Sequence, residues 1–187
     1  IDTSASMTGE PIAAVRDGID QLLTFLRSDP NALETAYLSV IEFNSKARQL
    51  HELSELTEFQ APPLKAQGMT AMGEALMLLV DCIQREVMQP NRRDWRPIVF
   101  LLTDGLPNDD LQAGLDALKR VRLGMCVACA AGPQANVETL QKIAEVVVRL
   151  EQADHASIGA FFQWVSASIA TSSQKVEHMG TEVAGMA

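Results

Sequence analysis

Two strand-length runs dominate the middle of the chain: Pro97 to Thr103 (PIVFLLT) and Met125 to Ala131 (MCVACAA). A continuous apolar run, here bounded by Pro97 and by Asp104-Gly105, suits a strand covered on both faces, as in a parallel sheet. The segments around them have the other period. Glu10 to Arg27 places Ile12, Val15, Ile19, Leu22, Leu23 and Leu26 on one helical face, and Ala71 to Met88 does the same with Leu76, Leu79, Val80, Ile83 and Val87. Asp109 to Arg122, Asn136 to Ala144 and Ser157 to Ile169 also read as helices, and Val146 to Leu150 as a short strand. Thr35 to Phe43 and Ala47 to Leu53, joined by the turn Asn44-Ser45-Lys46, predict an antiparallel hairpin at a sheet edge. Alternating strands and helices predict an α/β domain. Its central sheet would be mostly parallel, with one antiparallel edge strand and helices on both faces.

At 187 residues, 47% of them hydrophobic, the chain can bury one substantial core. The expected domain spans residues 1–172, leaving a polar tail at 173–187. The 24 acidic residues outnumber the 15 basic ones, for a formal charge of -9. The basic cluster Asn91-Arg92-Arg93-Asp94 is short and broken by acid, so nucleic acid and anionic membrane are poor partners. No apolar run is long enough to span a bilayer. Cys82, Cys126 and Cys129 offer no disulfide framework and suit a reducing compartment, which makes the cytoplasm the expected location. Cys126 and Cys129 are three apart on a strand and face opposite ways, so they should pack rather than share a metal.

In open sheets of this kind, ligands sit beyond the carboxyl ends of the strands. Three polar loops converge there: Asp2-Thr3-Ser4-Ala5-Ser6, Gly68-Met69-Thr70 and Thr103-Asp104-Gly105. Taken alone, the oxygens could activate a nucleophile, cap helices or hold a hard metal. Ser4, Ser6 or Thr8 could cap the helix at Glu10, Thr70 the helix at Ala71, and Asp104 could close a turn.

The order and spacing of these residues resemble the von Willebrand factor A domain with a metal-ion-dependent adhesion site. That pattern is D-x-S-x-S, then a Thr in a G-x-T loop, then an Asp after an apolar strand. The resemblance implies a Rossmann-like fold and a metal site formed by Asp2, Ser4, Ser6, Thr70 and Asp104. It implies Mg²⁺, or alternatively Mn²⁺, with the serines and Thr70 as direct ligands and the aspartates acting largely through water. A hard cation of this type favours such an oxygen set. The remaining coordination position would take an Asp or Glu side chain from a protein partner, so the domain would bind rather than catalyse. Met7, Met69, Leu106 and Pro107 would ring the ion. Two features depart from the family pattern. Ala5 stands where glycine is common, and the first strand should precede Asp2 although only Ile1 does, which suggests that further residues belong ahead of Ile1.

Within the class, LSVIEFNSKA, VFLLTDGLPND and FFQWVSASI resemble the bacterial tellurium-resistance TerY-like proteins. That likeness implies a stress-resistance role and kinase-like or phosphatase-like partners. The competing enzyme reading is a Mg²⁺-dependent phosphotransferase using Asp2 as nucleophile, but the second acid it needs falls at Ser4. Ser4 and Ser6 also lack a nucleophile elbow. His51, His155 and His178 read as surface residues. In the tail, Val176, Met179, Val183 and Met186 are a candidate docking stripe.

Overall fold

The structure is a computed structural model of the chain in which residues 1–88 and 96–184 are described, with side chains described as far as Ser172. The cluster Asn91 to Asp94 and the side chains of Val176, Met179, His178, Val183 and Met186 lie outside the described residues. Helix α1 (Glu10–Ser28) and α2 (Pro30–Thr35) lead into the hairpin β1 (Tyr37–Phe43) and β2 (Ala47–Glu55). Then come α3 (Met72–Cys82), β3 (Ile98–Thr103), α4 (Leu111–Leu118), β4 (Met125–Ala131), α5 (Val137–Leu140), β5 (Val146–Leu150) and α6 (His155–Ala184).

Strands β3, β4 and β5 form a parallel sheet in that order, with Ile98 opposite Met125 and Val127 opposite Val146. Strand β1 pairs antiparallel with β2, as the hairpin pattern predicts. Among the described residues, Ile1–Thr3 is the segment that joins the two sheets. Ile1 bonds to Ile41 and Phe43, Asp2 N donates to Leu102 O at 2.9 Å, and Thr3 N donates to Phe43 O at 2.8 Å. Beyond this bridge the edges of β1 and β3 face each other across an apolar cleft of about 1200 Å³, lined among others by Val40, Ile98, Phe100 and Phe161. The expected single sheet is therefore two sheets pinned at one end, and that end carries the polar loops.

Strand β4 shows why its sequence is apolar throughout. Val127, Cys129 and Ala131 pack in one core with Val15, Ile19 and Leu26 of α1 and Ile158 and Phe161 of α6. Cys126, Ala128 and Ala130 pack in the other with Met72 and Leu76 of α3 and Leu140 of α5. Successive side chains alternate faces, and both faces are covered. The cysteines fall on opposite faces, and burial pushes the Cys126 thiol up to about 11 and the Cys129 thiol to about 12. Helices α1 and α6 approach closely, since an added Cβ on Gly18 would lie 2.2 Å from the Phe162 ring.

Some elements differ from expectation. The helix expected over Glu10 to Arg27 is followed at once by a second, α2. The Asp29 carboxylate accepts from the backbone N–H of Asn31 and Ala32, and Pro30 takes the first helical position of α2. Helix α3 ends at Cys82 and continues as a π-helical turn, Ile83–Val87. Helix α6 runs from His155 to Ala184, well past Ile169. Among the described residues no helix is long and apolar enough to cross a membrane.

Candidate metal centre

The Ile1–Thr3 bridge holds Asp2 fully buried, with both carboxylate oxygens engaged. Oδ1 accepts from Ser4 N at 2.8 Å, and Oδ2 accepts from Thr103 Oγ1 at 2.6 Å. The chain then turns through a short 3-10 segment, Ala5–Met7, which brings Ser4 Oγ and Ser6 Oγ to 3.0 Å. Ser6 Oγ donates to Asp104 Oδ1 at 2.8 Å, just after β3. A hydroxyl has one proton to give, so Ser4 must donate to Ser6. Thr70, 5% exposed, stands alongside, because an added Cβ on Gly105 would lie 3.7 Å from its Oγ1. The structure thus brings Asp2, Ser4, Ser6, Thr70 and Asp104 to one place at the carboxyl end of β3.

The three loops are tied to one another by backbone. Ala5 N donates to Gly68 O at 3.0 Å and Gln67 N to Thr3 O at 2.8 Å. Gly68 takes φ 76°, a conformation open to glycine at little cost, and its α-carbon faces Ser45 too closely for a side chain. Ala5 needs no such freedom. Among the described residues no non-glycine has positive φ, so alanine fits the loop without strain.

Burial raises the Asp104 carboxyl above its usual range, the Ser6 hydrogen bond partly opposes this, and the charge of nearby Asp2 adds to it. Two carboxylates in a partly desolvated site favour a cation beside them. Among the described residues no three His, Cys, Asp or Glu side chains gather into a metal-binding group. An ion here would have to be held largely by hydroxyls. Three hydroxyls and two carboxylates are hard oxygen donors, which suits a small divalent cation that keeps some of its water.

The capping alternatives fail on geometry. Helix α1 starts after Gly9 and α3 after Ala71, neither with a side-chain cap, so Ser4, Ser6, Thr8 and Thr70 are not capping residues. Asp2 is fully buried with each oxygen in a hydrogen bond, and Ser4 stands two residues on, where a phosphotransferase needs its second acid. Met7 is a correction: it is fully buried in the core under α1 and cannot ring an ion, whereas Met69 and Leu106 are 57% and 52% exposed. His51 packs at a tilt against Phe59, and His155 lies between Glu10 and Asp17 on the flank of α1.

Sequence reasoning missed several supporting residues. Thr103 orients Asp2, Asn108 bonds to the backbone of Thr70, and buried Glu42 pairs with Arg48 behind Thr3. Only their nearness to the motif loops hinted at them, since Thr103 looked like the polar end of an apolar strand.

The sequence profile of the von Willebrand factor type A domain matches residues 1–152. The chain belongs to that family. Solved structures share the fold of this vWA domain at low identity. A von Willebrand factor type A protein from Catenulispora acidiphila superposes with a TM-score of 0.66 at 20% identity, over 90% of this chain and 41% of that one. Proximal thread matrix protein 1 from the mussel byssus, described with a zinc-occupied MIDAS motif, gives 0.63 at 17% identity, over 90% of this chain and 44% of the other. The BatB protein of Bacteroides thetaiotaomicron gives 0.60 at 16% identity, over 91% and 96%. The vWA domain spans less than half the length of the first two. No curated protein matches the chain.

Proposed function

We propose that this vWA domain is a metal-dependent protein-binding module and not an enzyme. The observation that carries the reading is the continuous contact from Asp2 and Ser4 through Ser6 to Asp104, with Thr70 beside it. Ser4, Ser6 and Thr70 would hold the ion, with Asp2 and Asp104 balancing its charge largely through water. Mg²⁺ fits this donor set best, with Mn²⁺ as its substitute. A bound ion supplies one further coordination position, suited to an Asp or Glu side chain of a protein partner. The zinc-occupied motif described for the mussel protein supports metal binding by the same fold.

The stretches LSVIEFNSKA, VFLLTDGLPND and FFQWVSASI support placing the domain among tellurium-resistance proteins of the bacterial cytoplasm. Kinase-like or phosphatase-like proteins of the same system are then the natural partners. The net charge of -9 supports a protein partner over nucleic acid or membrane.

The test is electron paramagnetic resonance of Mn²⁺ with the protein, with and without a glutamate-bearing peptide. The protein should broaden the free-ion spectrum, and the peptide should shift the bound signal and tighten Mn²⁺ binding. A bound signal indifferent to every carboxylate offered would sink the partner-ligand reading.

A further inference from the structure

The loop that carries Asp104 also grips Thr70. Asn108 Oδ1 accepts from Thr70 N at 3.0 Å, and Asn108 N donates to Thr70 O at 3.0 Å. Asn108 thereby pairs with both backbone polar groups of Thr70, and the Thr70 carbonyl also accepts from Met72 N at 2.9 Å. The next residue extends the grip: Asp109 accepts from Gly73 N at 2.9 Å and Glu74 N at 2.7 Å, the exposed donors of the first turn of α3. The two segments can approach this closely because residue 73 is glycine, where a Cβ would lie 2.3 Å from Asp110 O.

Rotation of the Thr70 backbone would swing Oγ1 away from Gly105. Of the two backbone polar groups of Thr70, the N–H is held by a side chain and the carbonyl by backbone donors. We propose that Asn108 is a positioning residue for the metal centre: its side-chain carbonyl locks the Thr70 peptide so that Oγ1 faces the Asp104 loop. The inference rests on the metal-binding reading above. Partners that orient metal ligands typically change affinity by about 10–100-fold when removed. The Asn108 N–H and the Asp109 carboxylate still dock the loop when the Asn108 side chain is cut back, so the variant should fold.

The test is Mn²⁺ affinity measured by paramagnetic resonance on five proteins: wild type, Asn108→Ala, Asn108→Asp, Thr70→Ala and the Asn108→Ala/Thr70→Ala double variant, with thermal midpoints taken in chelator. Asn108→Ala should weaken binding by about tenfold or more. In the Thr70→Ala background the same change should have no further effect, because the side chain acts only through Thr70. Asn108→Asp, which keeps the acceptor oxygen, should bind at least as tightly as wild type. Equal falls in both backgrounds, an unaltered Asn108→Ala, or a weakened Asn108→Asp would each overturn the positioning role while wild-type binding still stands. A wild type that binds no Mn²⁺ would overturn the metal reading itself, and this inference with it.

Discussion

Replacing Thr103 with valine keeps shape and volume but removes the 2.6 Å hydrogen bond to Asp2 Oδ2, in a place where both residues are fully buried. A hydrogen bond to a charged group contributes about 1.5–3 kcal/mol, and the upper end applies when the carboxylate oxygen is left without a partner. Burying a methyl in place of the hydroxyl returns roughly 0.8 kcal/mol. The net expectation is a loss of about 2 kcal/mol, which for a chain of this size lowers Tm by about 4–8 °C. The assay is thermal unfolding followed by circular dichroism in chelator, so that no metal contributes. Thr103→Ser is the control: it keeps the oxygen, loses one methyl, and should cost about 1 kcal/mol. A valine variant as stable as wild type would show that Asp2 is held in place without Thr103, and the account of how the bridge orients this carboxylate would be wrong.

Asp104→Asn keeps an acceptor for Ser6 and removes a charge that burial disfavours. A raised carboxyl adds stability that is present below its unfolded value, near 3.8, and is lost as pH rises through the folded one. The metal-free variant should therefore melt higher than wild type at pH 7, with the gain shrinking as pH approaches 3.8, and it should lose any stabilisation by Mg²⁺. Gly73→Ala drives a Cβ into the Asp110 carbonyl and should destabilise by about 1–2 kcal/mol after helix propensity is counted. Gly159→Ala meets nothing within 4 Å in α6 and should stabilise by about 0.5–1 kcal/mol, both glycine variants being read by urea titration. Cys82, Cys126 and Cys129 are buried with raised thiols and should resist a thiol reagent at pH 8 until denaturant is added; rapid labelling of Cys129 in native buffer would contradict the packing of β4.

The parts of the fold legible in the sequence were those marked by an unbroken apolar run or a regular apolar stripe. Strands β4 and β5 begin and end where their apolar runs do, and α1 where its stripe does. The short helix α2 was hidden because Pro30 reads equally as a terminator and as a first helical residue, and only the Asp29 side chain decides between them. The π-helical turn after Cys82 carries the same apolar period as the helix before it, so periodicity could not mark the change. At the site, the convergence of Asp2, Ser4, Ser6, Thr70 and Asp104 was legible because their order and spacing resemble the family pattern. Thr103 and Asn108 were not, since each works through one hydrogen bond to a partner far away in sequence. Met7 misled because it lies next to the serines along the chain, while the turn at Ala5–Met7 sends its side chain into the core.

The most direct measurement of the central claim is calorimetric titration of Mg²⁺ and Mn²⁺ into chelator-stripped protein, with Ser4→Ala and Ser6→Ala alongside. The account predicts saturable binding at a single site in the wild type, lost in both variants while their far-ultraviolet spectra stay unchanged. Binding that survives both substitutions, or none in the wild type at millimolar metal, would contradict it.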